Sequence, residues 1–235
     1  MIPFDLLTAS FSKSSGPTAT YEINMYLDNY LTSRDDKIVM FVTLLGGFLG
    51  SGKTTVLVKL AKAANVAGLK VAIIVNEAGE VGIDGKRIAM EGYEVVELAQ
   101  GCICCSLAGT LRDTLIEVNR EYKPDLFILE PTGLALPNQV DEIIRLSKIG
   151  PEKIVRIGII DAFRYDILLK KRRDFIEKQL HGSDVIMVNK CDLVDDASIF
   201  KAKKELSIIS PGAEIFATSA LTGYGIDRVI KRMLS

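Results

Sequence analysis

The sequence predicts one α/β domain, a doubly wound, mostly parallel sheet flanked by helices, carrying an N-terminal arm. Three observations lead there. From Ile38 onward, short apolar runs alternate with amphipathic stretches, the pattern of parallel strands joined by covering helices. A glycine-rich segment stands directly between the first of those runs and a helix-compatible stretch. Every polar motif described below follows an apolar run, and ligands of such sheets bind beyond the carboxyl ends of the strands.

The arm comes first. Residues 1–37 are dense in Ser and Thr from Thr8 to Thr20. Ile23, Tyr26, Leu27 and Tyr30 then recur at helical spacing, predicting one amphipathic helix. The domain proper spans 38–235. Its strands are read at Ile38 to Leu45, Lys70 to Val75, Tyr93 to Leu98, Asp125 to Leu129, Ile154 to Ile160, Asp184 to Val188 and Glu214 to Ala217. Helices fill the intervals: Lys53 to Ala67 before Gly68, Leu107 to Tyr122 before Pro124, Asn138 to Leu146, Ala162 to Gln179, Asp195 to Leu206, and Gly225 to the end.

Composition removes several classes of function. With 235 residues, 48% hydrophobic and 25% charged, the chain is long enough for one well-buried core and unlike a disordered or disulfide-scaffold protein. A net charge of -1 gives no electrostatic case for a nucleic-acid partner or an anionic membrane. No apolar stretch reaches the roughly 18 residues of a spanning helix. The N-terminus lacks the basic and apolar regions of a secretory leader, so a cytoplasmic location is expected. Three of the four cysteines fall within four positions, a spacing suited to a metal or redox site and not to a disulfide framework.

Gly47-Phe48-Leu49-Gly50-Ser51-Gly52-Lys53-Thr54 fits the phosphate loop G-x-x-x-x-G-K-[ST] and has the strand before it and the helix after it that the motif needs. Gly47, Gly50, Ser51 and Gly52 are small enough for backbone amides to close around phosphates, and the helix N-terminus adds partial positive charge. Lys53 can reach the β- and γ-phosphates and stabilise charge during hydrolysis; the Thr54 hydroxyl can ligate Mg²⁺, and Thr55 completes the set.

Asn189-Lys190-Cys191-Asp192 follows the run Asp184 to Val188. The Asp192 carboxylate can accept from both the ring N–H and the exocyclic amine of guanine, while adenine presents the opposite pattern and would leave it unpaired. After the next strand, Thr218-Ser219-Ala220 offers backbone N–H groups of Ser219 and Ala220 to support the base. The expected ligands are GTP and GDP.

Between these motifs lie two segments suited to sensing a γ-phosphate. Glu130, at the tip of the strand Asp125 to Leu129, is a Mg²⁺ and catalytic candidate, and the Gly133 N–H can meet the γ-phosphate. A plain post-strand turn would use the same Pro131 and Gly133. Asn76 to Gly85 carries Glu77, Glu80 and Asp84 among glycines. This suits a loop that ligates a cation, with Asp84 a further Mg²⁺ candidate, or equally an acidic surface loop.

Gly101-Cys102-Ile103-Cys104-Cys105 is the most informative remaining segment. It precedes a helix whose N-terminal field favours thiolate over thiol. Cys102 and Cys104 alternate on an extended stretch and Cys105 stands at the helix entry. Together the three can form a thiolate pocket for Zn²⁺ or another borderline ion such as Co²⁺ or Ni²⁺, with Glu80, Glu77 or water as fourth ligand. Redox sensing and simple packing remain open for the same residues. Cys191 reads as packing beneath the base loop, His181 as an exposed turn before Gly182, and Lys170 to Arg173 as the solvated face of a helix.

Taken in order, GGFLGSGKTT, NEAGEVGIDG, GCICC, EPTGLALP and NKCDLV resemble the CobW-like family of metallochaperone GTPases, relatives of HypB and UreG. The resemblance runs from about Val39 to the C-terminus, and GCICC is its most distinctive element. It implies slow GTP hydrolysis coupled to metal handling, with Cys102, Cys104 and Cys105 matching the metal-binding cysteines and Glu130 the second switch. A metalloprotein or cofactor-pathway client and a GTP-dependent homodimer are implied with it. A regulatory GTPase that gates a partner enzyme, such as a cobalamin-dependent one, with redox-sensing cysteines, is the alternative. Longer members carry a C-terminal domain; this chain stops one helix beyond Ala220, has an arm without counterpart, and lacks a His-rich tract.

Overall fold

The computed structural model of the chain describes residues 40–75, 94–97, 106–131 and 137–234. The arm and its helix, expected over residues 1–37, lie outside them. In chain order the elements are β1 (Phe41–Gly47), α1 (Lys53–Val66), β2 (Val71–Val75), β3 (Glu94–Glu97), α2 (Ser106–Glu121), β4 (Leu126–Glu130), α3 (Pro137–Ser147), β5 (Lys153–Asp161), α4 (Tyr165–Leu180), β6 (Val185–Asn189), α5 (Asp196–Ile209), β7 (Glu214–Ala217) and α6 (Ile226–Leu234).

All seven strands join one sheet in the order β3-β2-β4-β1-β5-β6-β7, and every pairing is parallel. The prediction of a doubly wound sheet with flanking helices therefore holds. β1 sits between β4 and β5: the chain builds β2 and β3 on one side, returns to place β4 beside β1, and then adds β5, β6 and β7 on the other side. The crevice beyond its carboxyl end is the switch point where such folds bind ligands.

Strand alternation sorts the core. On β1, Phe41 and Leu45 face one layer while Val42 and Leu44 face the other. The first layer is covered by α1 through Val56, Leu57 and Leu60 and by α6 through Val229, Ile230 and Met233. The second is covered by α2 and α3 through Leu111, Leu115, Val140 and Ile144, and further along the sheet by α4 and α5 through Ile176, Leu180, Ala202 and Leu206. Because β1, β2 and β4 are covered on both faces, they read as continuous apolar runs.

Several boundaries differ from the sequence reading by one to three residues, and two of the shifts matter most for the site. The strand expected to end at Leu129 includes Glu130, whose backbone pairs with Val75. The helix expected from Ala162 begins at Tyr165, because Asp161 Oδ1 accepts the amides of Phe163 at 3.0 Å and Arg164 at 3.3 Å and holds residues 162–164 in a turn. His181 stands in the exposed turn expected of it, and Lys170 to Arg173 are exposed along α4.

Candidate functional site

The phosphate loop leaves β1 at Gly47 and enters α1 at Lys53. The Ser51 amide donates to Phe48 O at 3.1 Å and the Val56 amide to Gly52 O at 2.9 Å, so loop and first helical turn are continuous. Gly52 is the helix cap, with φ 97°, and a Cβ there would meet Asn189 Nδ2 at 2.5 Å. Gly47 has φ 149°, and a Cβ on it would meet Ile159 O at 2.5 Å. Neither position accepts a side chain without moving the loop. Phe48 anchors the outer arm of the loop edge-on against Phe175 of α4, ring centroids 5.0 Å apart. Thr54 is half-buried on the first helical turn, Thr55 is exposed, and Ser51 Oγ is buried without a hydrogen-bond partner.

Lys53 curls over this loop. Its Nζ donates to Phe48 O at 3.3 Å and lies 3.8 Å from Glu130 Oε1 at the tip of β4, with side chains only 11% and 15% exposed. The two catalytic candidates, far apart in sequence, thus stand together.

The guanine-loop motif joins the same construction from the far side. Asn189 is buried, and its two amide atoms are spent on different loops. Nδ2 donates to Ser51 O at 2.8 Å, and Oδ1 accepts the Ala220 amide at 2.9 Å. The Ser219 amide donates to Tyr224 O at 3.0 Å, and the Cys191 amide to Thr218 O at 3.1 Å. Asn189 therefore bridges phosphate loop and base-support loop, while Asp192, two residues past Lys190, is exposed. Behind this loop, burial and then the neighbouring Arg228 lower the Lys203 pKa, and burial raises that of the Tyr224 phenol.

Lys190 takes the left-handed backbone conformation at φ 63° and turns its side chain inward. Its Nζ donates to Gly50 O at 2.7 Å and to Asp161 Oδ2 at 2.7 Å. Asp161 ends β5 directly beside Asn189 in the sheet register. Sequence reading passes over it as the joint between a strand and a helix. The signal available is a lone acid at the carboxyl end of a strand flanked by both motif-bearing strands.

The remaining candidates, Gly133, Glu77, Glu80, Asp84, Cys102, Cys104 and Cys105, lie outside the described residues. Among the described residues no group of three His, Cys, Asp or Glu side chains is placed to hold a metal, and no helix is long and apolar enough to cross a membrane. Cys191, half-buried, forms no disulfide.

Comparison with known proteins places this geometry. A family model described as CobW/HypB/UreG, nucleotide-binding domain, matches residues 41–217. A protein named "Zinc chaperone CobW" from Sinorhizobium sp is 31% identical over 206 residues, covering 75% of this chain and 58% of the relative. The Zn(II)-bound YjiA GTPase of E. coli superposes with a TM-score of 0.55 at 25% identity, over 76% of this chain and 57% of that one. The hydrogenase maturation factor HypB of Archaeoglobus fulgidus shares the fold with a TM-score of 0.62 at 19% identity, over 93% of this chain and 100% of the other. The chain spans about half the length of the relatives it matches in sequence, from 45% to 58%.

Proposed function

The chain belongs to the CobW/HypB/UreG family, whose nucleotide-binding domain its residues 41–217 match, and from that premise we propose that it is a GTP-hydrolysing metallochaperone. In this reading the nucleotide state governs binding and delivery of a transition metal, zinc first and cobalt or nickel as alternatives, to a metalloprotein or cofactor-pathway client in the cytoplasm. The observation that carries it is the meeting of Asn189 Nδ2 with Ser51 O at 2.8 Å, which joins a phosphate loop and a guanine-loop motif 138 positions apart into one cleft.

The phosphates lie against the amides of Gly50 to Thr54 at the N-terminus of α1, with Lys53 swinging from Phe48 O to the β- and γ-phosphates. The buried, unpartnered Ser51 Oγ supplies a hydroxyl at the inner wall of the loop. Asp192 reads the guanine edge, and Asn189, held on both sides, sets the distance between base and phosphates. An all-oxygen donor set, the Thr54 hydroxyl with the Glu130 and Asp84 carboxylates, fits a hard cation. Mg²⁺ held there would neutralise charge on the transferred phosphoryl group. Glu130, released from Lys53 when that lysine turns to the phosphates, orients water or cation. Cargo metal binds the thiolates of Cys102, Cys104 and Cys105 with Glu80 as fourth ligand. The switch segments around Asp84 and Gly133 report the γ-phosphate to that site, in a homodimer formed with GTP bound.

The test is elemental analysis of the protein purified without added metal, then with GDP and with a non-hydrolysable GTP analogue. We expect about one zinc per chain, changed in occupancy between the two nucleotide forms and lost when Cys102, Cys104 and Cys105 are replaced together by Ser. Equal metal content in wild type and triple variant, or turnover of ATP at the rate of GTP, overturns the reading.

A further inference from the structure

Asp161 is 2% exposed, and both of its carboxylate oxygens are engaged. Oδ1 accepts from the Phe163 and Arg164 amides and shapes the turn into α4. Oδ2 accepts from Lys190 Nζ at 2.7 Å, with Arg164 Nε 3.9 Å away on the same oxygen. Lys190 makes one further bond, to Gly50 O in the phosphate loop. A lysine side chain left free would sample many rotamers, and docking it on a carbonyl would cost that freedom each time. The carboxylate removes the cost in advance. It also compensates the left-handed backbone at Lys190, which a non-glycine residue adopts only when its surroundings fix it.

We propose that Asp161 is a positioning residue for the nucleotide, locking Lys190 onto the phosphate loop so that phosphate-binding and base-reading loops meet the ligand as one preformed unit. The proposal rests on the guanine-nucleotide reading above and adds to it a residue outside both motifs. Asn189 and Lys190 form two parallel ties from the same loop, to Ser51 O and to Gly50 O. The first is held by Ala220 and the second by Asp161. A preformed site binds more tightly because less order must be created on binding, and the gain appears mainly as slower release.

Asp161→Asn isolates this role. The amide oxygen can keep the Oδ1 bonds to Phe163 and Arg164, while the NH₂ presents a donor to the Lys190 ammonium where an acceptor stood. Release of fluorescent GDP and GTP analogues should accelerate about tenfold for both nucleotides, as expected from losing a charge-assisted bond whose energy is only partly coupled to the ligand. In steady-state GTP hydrolysis the loss should fall on KM and not on kcat, and the preference for GTP over ATP should persist, because Asp192 is untouched. Lys190→Met should accelerate release to a similar extent, and the double variant should be no worse than either single one. Release at the wild-type rate from either variant, or fully additive effects, overturns the proposal. If wild-type protein binds ATP analogues as well as GTP analogues, it is the guanine reading that has failed; if wild type retains GTP and the variants release it no faster, the failure belongs to Asp161 alone.

Discussion

β5 carries an ion-pair network at each end, and the two differ in kind. At its carboxyl end Asp161, with a side chain 3% exposed, holds a lysine whose other bond is to the phosphate loop. Toward its amino end Arg156 is 27% exposed and joins two carboxylates. Nε and Nη2 reach Asp141 Oδ2 of α3 at 2.8 and 2.6 Å, and Nη1 reaches Asp184 Oδ2 ahead of β6 at 3.3 Å. Burial works against the guanidinium charge, but the two carboxylates outweigh it and raise its pKa. The amino-end network ties secondary structure to secondary structure. The carboxyl-end network ties loop to loop across the ligand crevice. Strength of pairing does not separate them; what the partners touch next does.

That contrast breaks first at the phosphate loop itself. Gly52→Ala should weaken nucleotide binding sharply while leaving the fold intact. A Cβ at φ 97° and 2.5 Å from Asn189 Nδ2 forces the loop to leave its ligand-ready path and the Asn189 bridge to open. Restoring both on binding costs left-handed strain of about 1–2 kcal/mol and a buried hydrogen bond of about 1–3 kcal/mol. The expected affinity loss is on the order of a hundredfold or more, measured by titration with GDP. At the other end of β5, Arg156→Met should reverse the pattern. Unfolding in urea should show a loss of about 2 kcal/mol as Asp141 and Asp184 lose their charge-assisted partner, while GDP affinity stays at the wild-type value. Weakened GDP binding in the Arg156→Met variant would show that the two ends communicate through β5.

The layered parallel sheet was legible because strands covered on both faces must read as unbroken apolar runs, as Val71–Val75 and Leu126–Leu129 do. The phosphate loop was legible because its glycines answer to local backbone geometry within a single short motif. The roles of Asn189 and Lys190 were only half legible. The motif marks them as base-reading residues, yet their side-chain atoms are spent on Ser51, Ala220, Gly50 and Asp161, partners 29 to 140 positions away. No local pattern encodes such a distance, and Asp161, whose importance depends on what the sheet register brings beside it, shows in the sequence only as a lone acid closing an apolar run. The helix start differs for the same reason, since the Asp161 side chain consumes the amides that would have begun a helix at Ala162.

Asp195 sharpens the comparison with the smallest effect. It too is an acid at the ligand end of the sheet, five residues from Lys190, but it is fully exposed and its Oδ1 accepts the Ser198 amide, capping α5 at 2.8 Å. Hydrogen bonds to Ser198 hold its carboxyl below the usual range. A carboxyl so depressed in the folded state contributes stability that is present above its unfolded pKa and fades as pH falls through the lower folded value. Asp195→Ala should therefore lower the melting temperature slightly at neutral pH, and the two curves should converge as the solution is acidified below the ordinary carboxylate range. Nucleotide release should be unchanged throughout. If Asp195→Ala instead speeds GDP release as Asp161→Asn does, then mere position at the carboxyl end suffices for a role in binding, and the distinction drawn from what each carboxylate touches collapses.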